Sequence, residues 1–227
     1  KNSFGRESLY RVTDAVANAL ASRFYLMKHD YTKAKQYAQA ALDLYGFDNV
    51  VNYNDIGYAT RIDEGSIEID GTTIDFQVRY PNTEIGYDYV SDWTEDYFVS
   101  TAMSGFTMFS ISDHLPSQDL IDCFDQDGSA DDDMRWNFFY LKNYAYLQGR
   151  AVDVPVYKKQ RNYSITVPEM MLTVAECEAR EGDYNVALNL VNQLRTKRID
   201  PAGYTALTAS NKDEATAIVL RERRREV

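Results

Sequence analysis

Cysteine and histidine are both scarce in this chain, with two of each among 227 residues. A structural zinc site would need Cys123, Cys177 and at least one of His29 and His114, none of which has the close spacing typical of zinc ligands. We therefore predict no zinc site. Whether the two cysteines form a disulfide depends on the fold, and the sequence leaves this open.

Basic charge and long apolar runs are also lacking. Lys and Arg number 24 against 35 Asp and Glu, so the net charge is −11. This balance argues against nucleic acid as a partner, because phosphate binding needs a basic face. No run approaches the roughly 18 consecutive apolar residues of a membrane helix. The 44 % apolar and 26 % charged residues are typical of a folded globular protein.

Signals for catalysis are missing as well. The sequence has no phosphate-binding glycine loop, no Gly-x-Ser-x-Gly motif and no plausible Ser/His/Asp set. His114 precedes Leu115-Pro116, which is more typical of a turn than of a general base. The chain has 35 acidic residues, so two carboxylates resembling a glycosidase pair could be proposed almost anywhere in it. Such a pair is therefore no evidence for glycosidase activity. We predict that the protein is not an enzyme.

The sequence divides into three zones, which we predict to form one domain over 1–227. Zone 6–45 is helical and rich in alanine, and zone 166–227 is helical again. Zone 46–165 is an aromatic-rich insertion of loops, and its 46–140 portion has a net charge of −17. Within it we predict a β-hairpin over Ser66–Phe76 with its turn at Asp70-Gly71, and a short helix over 92–103. The fold class predicted is mainly α.

The two helical zones repeat each other at an offset of 153 residues. His29-Asp30-Tyr31-x-x-Ala34 aligns with Gly182-Asp183-Tyr184-x-x-Ala187, and each turn joins two helices with apolar residues in matching positions. This pattern is typical of tetratricopeptide-like helical hairpins. The helix of the third zone begins at Val167-Pro168, and a last helix begins near Asn211.

Four segments resemble those of a known family. The first is a helical hairpin, from Arg11-Val12-Thr13 through Asp30-Tyr31-x-x-Ala34. The second is Pro116-Ser117-x-x-Leu120-x-x-x-Phe124, followed by Asp133-x-Arg135. The third is a helical stretch from Glu169 through Arg195, and the fourth is Glu222-Arg223-Arg224-x-Glu226. Each motif is weak alone, but their order and spacing are specific. On these residues the chain resembles the SusD/RagB outer-membrane nutrient-binding lipoproteins of Bacteroidetes.

The resemblance implies non-catalytic binding of an oligosaccharide, a polysaccharide or a similar nutrient at the outer-membrane surface. It also implies delivery of the ligand to a SusC-like TonB-dependent transporter. Relative to the family we expect a fragment lacking both ends, including the N-terminal leader with its lipidated cysteine. Contact with the membrane is expected only through that lipid anchor.

Segment 87–98 interleaves aromatic and acidic residues, a mixture suited to stacking on sugar rings and binding their hydroxyls. We predict that its ligand-binding residues are, in descending order, Trp93, Tyr97, Tyr89 and Tyr87, with Asp92 and Asp96 as hydroxyl partners. Trp136 is a weaker candidate because 136–140 also resembles a buried strand. For all the aromatics, core packing is the alternative.

The acidic stretch Asp125–Asp133 is a weak candidate for calcium, since alternating oxygen ligands suit a hard cation. Gly128 and Trp136 stand where an EF-hand pattern would need other residues, so a solvated acidic loop is the favoured interpretation and no cofactor is predicted. The arginines of 221–225, interleaved with glutamates, indicate ion pairs between packed helices.

Two other functions remain open at this point. A tetratricopeptide-like scaffold could bind a protein or peptide partner, and its binding would not respond to sugars. A glycoside hydrolase on a helical frame would release products, and replacing one carboxylate would abolish that release.

Overall fold

A computed structural model describes residues 12–69, 71–81, 95–98, 116–125, 132–141, 145–147, 150–152, 156–157 and 165–226. The described part is mainly helical. Its helices are α1 (Asp14–Met27), α2 (Tyr31–Leu44), α3 (Tyr53–Ile56), α4 (Gln118–Asp125), α5 (Met134–Phe139), α6 (Val167–Glu181), α7 (Tyr184–Arg195) and α8 (Lys212–Glu226). None of these helices combines the length and the apolar character needed to span a membrane.

The strands of the described residues form antiparallel two-stranded ladders. They are β1 (Tyr58–Ile69) with β2 (Thr72–Pro81), β3 (Asp96–Phe98) with β8 (Ile165–Thr166), β4 (Tyr140–Leu141) with β7 (Val156–Tyr157), and β5 (Ala145–Leu147) with β6 (Arg150–Val152). The predicted hairpin is confirmed and is longer than expected, because pairing runs from Ile69↔Thr72 out to Tyr58↔Pro81. Gly71, with φ +80°, provides the left-handed turn residue.

Each helix of the first hairpin begins at a polar cap. The Thr13 side chain accepts a hydrogen bond from Val16 N at the start of α1, and Asp30 Oδ1 accepts one from Lys33 N at the start of α2. His29 connects them in the left-handed conformation, with φ 60°. Small residues line the contact between the two helices: Ala15, Ala19, Ser22, Ala34, Ala38 and Ala41.

The second hairpin repeats this construction. Asp183 caps α7 by accepting from Asn185 N, as Asp30 caps α2. Ala34 and Ala187, the residues aligned in sequence, are both fully buried. Thr166 caps α6, whose first turn contains Pro168. Asn211 accepts from Glu214 N at the start of α8, as the sequence predicts.

The two hairpins lie side by side even though 153 residues separate them. α2 packs on α6, and α8 packs on both α6 and α7. Their apolar faces form the largest core cluster, which includes Ala38, Met170, Leu172, Val191 and Val219. This order of packing fits a tetratricopeptide-like scaffold. The chain leaves the scaffold after α2 and rejoins it at β8, directly before α6.

Two local predictions are wrong. The described part of the predicted 92–103 helix is strand β3, because Asp96 pairs with Thr166 and Phe98 with Ile165. The predicted strand over 136–140 is largely helix α5, because Asp133 caps it by accepting from Arg135 N. Only Tyr140, at its end, enters a strand. Aromatic residues in sequence favoured a strand, but the polar cap decided the local conformation.

Candidate functional site

Four of the predicted ligand-binding residues, Tyr87, Tyr89, Asp92 and Trp93, lie outside the described residues. Glu95 is the first described residue after them, and Asp96 lies in β3. At Glu95 this aromatic and acidic segment joins the helical scaffold.

Glu95 anchors that junction. Its buried carboxylate accepts hydrogen bonds from Arg198 Nη2 at 2.7 Å and from Val51 N at 3.0 Å. Its carbonyl oxygen accepts from Val167 N at 2.8 Å, at the first residue of α6. Side chain and backbone of one residue thus join three separate parts of the chain.

Tyr97 is a second anchor. Its side chain is buried, with 5 % exposed, and its hydroxyl donates to the Tyr45 carbonyl oxygen at 2.6 Å. Burial, reinforced by Tyr45, raises the pKa of the Tyr97 hydroxyl far above its ordinary value. The prediction that Tyr97 binds ligand is corrected, because its ring packs in the main core and exposes no face to solvent.

Trp136 is buried as well. Only 4 % of it is exposed, and its ring stacks on Tyr140 at 4.6 Å between centroids and lies 5.0 Å from the Phe124 ring. These residues join α4 to α5 in a small separate cluster. As with Tyr97, core packing replaces the predicted ligand contact, since protein covers the ring.

Beneath these anchors lies a network of buried charges around Arg135. Its guanidinium donates to Asp133 Oδ2 at 2.7 Å and to Glu226 Oε2 at 2.8 Å, and Nη1 lies 2.8 Å from Glu222 Oε1. Asp133-x-Arg135 and Glu222-Arg223-Arg224-x-Glu226, the two motifs recognised separately in the sequence, are therefore direct partners.

Arg198 extends the network to the anchor. It donates from Nη2 to Glu226 Oε1 at 2.9 Å and to Glu95 Oε2 at 2.7 Å, and its guanidinium lies 4.2 Å from the centroid of the Tyr53 ring. Glu226 thus binds both Arg135 and Arg198. Sequence analysis missed Glu95 and Arg198, because neither lies in a motif that the chain shares with the family.

Arg135, Arg198 and Glu222 are held in their charged forms. Burial alone would lower the pKa of Arg135 and Arg198, but the neighbouring carboxylates raise both well above their ordinary range. Burial would raise the pKa of Glu222, but the guanidinium groups around it, Arg135 first, bring it below its ordinary value. These groups therefore do not exchange protons near neutral pH, and their role is to hold elements together.

Arg223 of α8 forms the ion pairs predicted between helices, because its Nη2 lies 3.8 Å from Glu169 Oε1 and its Nη1 lies 4.0 Å from Glu176 Oε2, both in α6. Other arginine contacts, such as those of Arg225, lie within α8 or are made to uncharged groups. Arg225 Nη1 lies 3.2 Å from Glu222 Oε2, and Arg225 also donates to the Cys123 carbonyl oxygen at the end of α4. Arg223 donates to Thr173 Oγ1 of α6 at 3.0 Å. Cys123 and Cys177 form no disulfide; burial raises the pKa of both thiols, to about 12 for Cys177.

Most of the candidate calcium stretch, 126–131, lies outside the described residues. Asp133, its last acid, is engaged by Arg135 and by the cap of α5. Among the residues that the structure describes, no group of three or more His, Cys, Asp or Glu side chains could hold a metal ion.

The family model of the SusD family matches residues 118–227. This range runs from α4 to the end of the chain and contains both motifs of the buried network. Residues 118–227 belong to the SusD family. Membership is consistent with binding of a glycan or another nutrient. A search of curated proteins finds no match to this SusD-family chain.

Proposed function

We propose that this SusD-family protein binds an oligosaccharide or polysaccharide at the cell surface, without catalysis, and passes it to a SusC-like TonB-dependent transporter. The observation that carries the proposal is the position of the aromatic and acidic segment. Tyr87, Tyr89 and Trp93 lie two to eight residues before Glu95, which is hydrogen-bonded to the scaffold of a family consistent with glycan or nutrient binding.

Anchoring supports binding through conformational entropy. Segment 82–94 follows the end of β2 at Pro81 and is followed by Glu95, whose side chain and backbone are both hydrogen-bonded. A fixed attachment point reduces the conformational entropy that binding costs. Stacking of Trp93 and the two tyrosines on sugar C–H faces would supply the affinity.

Charge narrows the class of ligand. The portion of the insertion over 46–140 carries a net charge of −17. A polyanionic glycan would be repelled by this field, whereas a neutral glycan would not. We therefore propose a neutral glycan, with Asp92 and Asp96 accepting hydrogen bonds from its hydroxyl groups.

The test is a tryptophan-fluorescence titration of the chain against neutral and acidic oligosaccharides, since the chain has only two tryptophans. We expect a saturable change with a neutral glycan and at least about a 10-fold weaker Kd in Trp93→Ala. The matched control is Trp136→Phe, which removes the buried tryptophan and should leave the affinity unchanged.

Other outcomes would contradict the proposal. Equal affinity in the wild type and Trp93→Ala would remove the aromatic segment from the site. Absence of binding to every glycan, in a sample that unfolds cooperatively, would favour the protein-binding scaffold. Transporter delivery has its own test, co-purification of a SusC-like transporter with the lipid-anchored protein from outer membranes.

A further inference from the structure

Helix α1 turns an apolar seam toward solvent. Ala17, Leu20, Phe24 and Met27 are exposed at spacings of three, four and three residues. Leu20 is 46 % exposed, Phe24 53 % and Met27 82 %. The opposite side of α1 faces the protein through the buried residues Ala15, Ala19 and Ser22. A 3-4-3 spacing is the pattern by which one helix packs lengthwise on another. We call these four residues the α1 seam.

We propose that the α1 seam binds the α1 seam of a second copy of this chain, with the two helices antiparallel about a two-fold axis. In this arrangement Leu20 packs opposite Phe24 of the second copy. Ala17 packs opposite its Met27, so the smallest seam residue meets the most exposed one. The seam is therefore complementary to itself in size, as a symmetric interface requires.

The charges beside the seam are complementary under the same rotation. Asp14 and Lys28 are both exposed and lie seven residues on either side of Ala21. In the antiparallel arrangement Ala21 lies at the two-fold axis, where its small side chain permits close approach. Asp14 then faces Lys28 of the second copy, and the pair occurs twice. A parallel arrangement would place like charges together, so charge selects the antiparallel one.

The other flank of the seam belongs to the protein itself. Val16 is buried, and Arg23 Nε donates to Glu169 Oε1 at 2.6 Å. The second helix is therefore expected on the flank that carries Asp14, Ala21 and Lys28. The Lys28 ammonium lies 4.8 Å from the Phe24 ring centroid, which places this cation at the end of the apolar seam.

Sedimentation velocity over a concentration series tests the proposal with the full 227-residue chain. We expect a monomer–dimer equilibrium in the wild type and a monomer in Leu20→Glu. Asp14→Lys and Lys28→Glu should each weaken the dimer about 10-fold, since both attractive pairs become repulsive. An equimolar mixture of the two variants should restore dimers, because only the mixed pair has opposite charges at both positions.

A disulfide cross-link tests the position of the two-fold axis, in a variant whose only surface change is one new cysteine. Under mild oxidation, Ala21→Cys should form an interchain disulfide, whereas the wild type and Gln36→Cys, on the exposed face of α2, should not. A wild type that stays monomeric throughout the series overturns the proposal and leaves the seam to a helix of another protein. So does a dimer that is insensitive to Leu20→Glu, or a mixture of charge variants that fails to associate.

Discussion

The helical scaffold and the inserted middle zone are attached by different forces. The hairpins α1–α2 and α6–α7 meet through small apolar residues, with Ala34, Ala38 and Ala187 fully buried. The middle zone adds buried charge to its apolar contacts with the scaffold, since Glu95 and Arg135 are paired to residues of the C-terminal region.

The comparison shows how one chain combines a helical scaffold held by non-directional apolar contacts with an insertion attached by directional ion pairs. Apolar contact is non-directional, so small residues at helical spacing suffice to bring two hairpins together. A buried guanidinium must satisfy its donors in one geometry and is costly when unpaired. The ion pairs therefore determine where the insertion is attached, and the alanines determine how closely the helices approach.

The largest expected effect comes from breaking the attachment by charge. Arg198→Met leaves Glu95 and Glu226 buried without this partner, so we expect the free energy of unfolding to fall by about 3–5 kcal/mol. Urea denaturation measures the change. The matched control, Lys33→Met, removes an exposed pair with Asp30 and should cost less than about 1 kcal/mol. Similar losses in both variants would remove the distinction between the two regions.

The next effect comes from breaking the close approach of the helices. Ala34→Leu and Ala187→Leu each insert three carbons at a fully buried position, and we expect each to cost about 1–3 kcal/mol. Gln36→Leu, at an exposed position of α2, is the control and should leave thermal unfolding nearly unchanged. If Ala34→Leu were neutral, the contact between α1 and α2 would be looser than the structure has it.

A third measurement sharpens the comparison through pH. The pKa of Glu222 is lowered in the folded protein from its ordinary value of 4.5. Its stabilising contribution is therefore present above about pH 4.5 and is lost as pH falls through the lower, folded-state value. In Glu222→Gln, the slope of unfolding free energy against pH below 4.5 should be shallower by up to about 1.4 kcal/mol per pH unit. An unchanged slope would contradict this assignment.

The smallest expected effect tests the repeat itself. Asp30→Ala and Asp183→Ala each remove the cap of the second helix of a hairpin, and each should cost about 1 kcal/mol. Equal losses in thermal unfolding would support equivalent roles for the two turns. A loss confined to one variant would show that only one of the aligned aspartates acts as a cap.

Much of the scaffold could be predicted because its signals are local. The Asp-Tyr turns, the alanine stripes, Pro168 in the first turn of α6 and the Asn211 cap all act within a few residues. The middle zone was harder, because strand β3 exists only by pairing with β8, about 70 residues away in sequence.

The aromatic residues mark the limit of prediction for the site. Tyr97 and Trp136 have the same chemical character as Trp93, and composition alone could not separate core residues from ligand-binding ones. Tertiary contacts separated two of them, because the Tyr97 hydroxyl binds the Tyr45 carbonyl and the Trp136 ring stacks on Tyr140. The roles of Tyr87, Tyr89 and Trp93 stay predictions.

By itself, the sequence determined the helical hairpins, the hairpin turn at Asp70-Gly71 and the family, since these depend on local pattern and on motifs in order. Only the tertiary structure decided that Asp133-x-Arg135 and the final Glu-Arg-Arg-x-Glu motif are partners, and that Arg198 joins them to Glu95. The physical reason is that a buried ion pair depends on the distance between side chains, which separation along the chain does not specify.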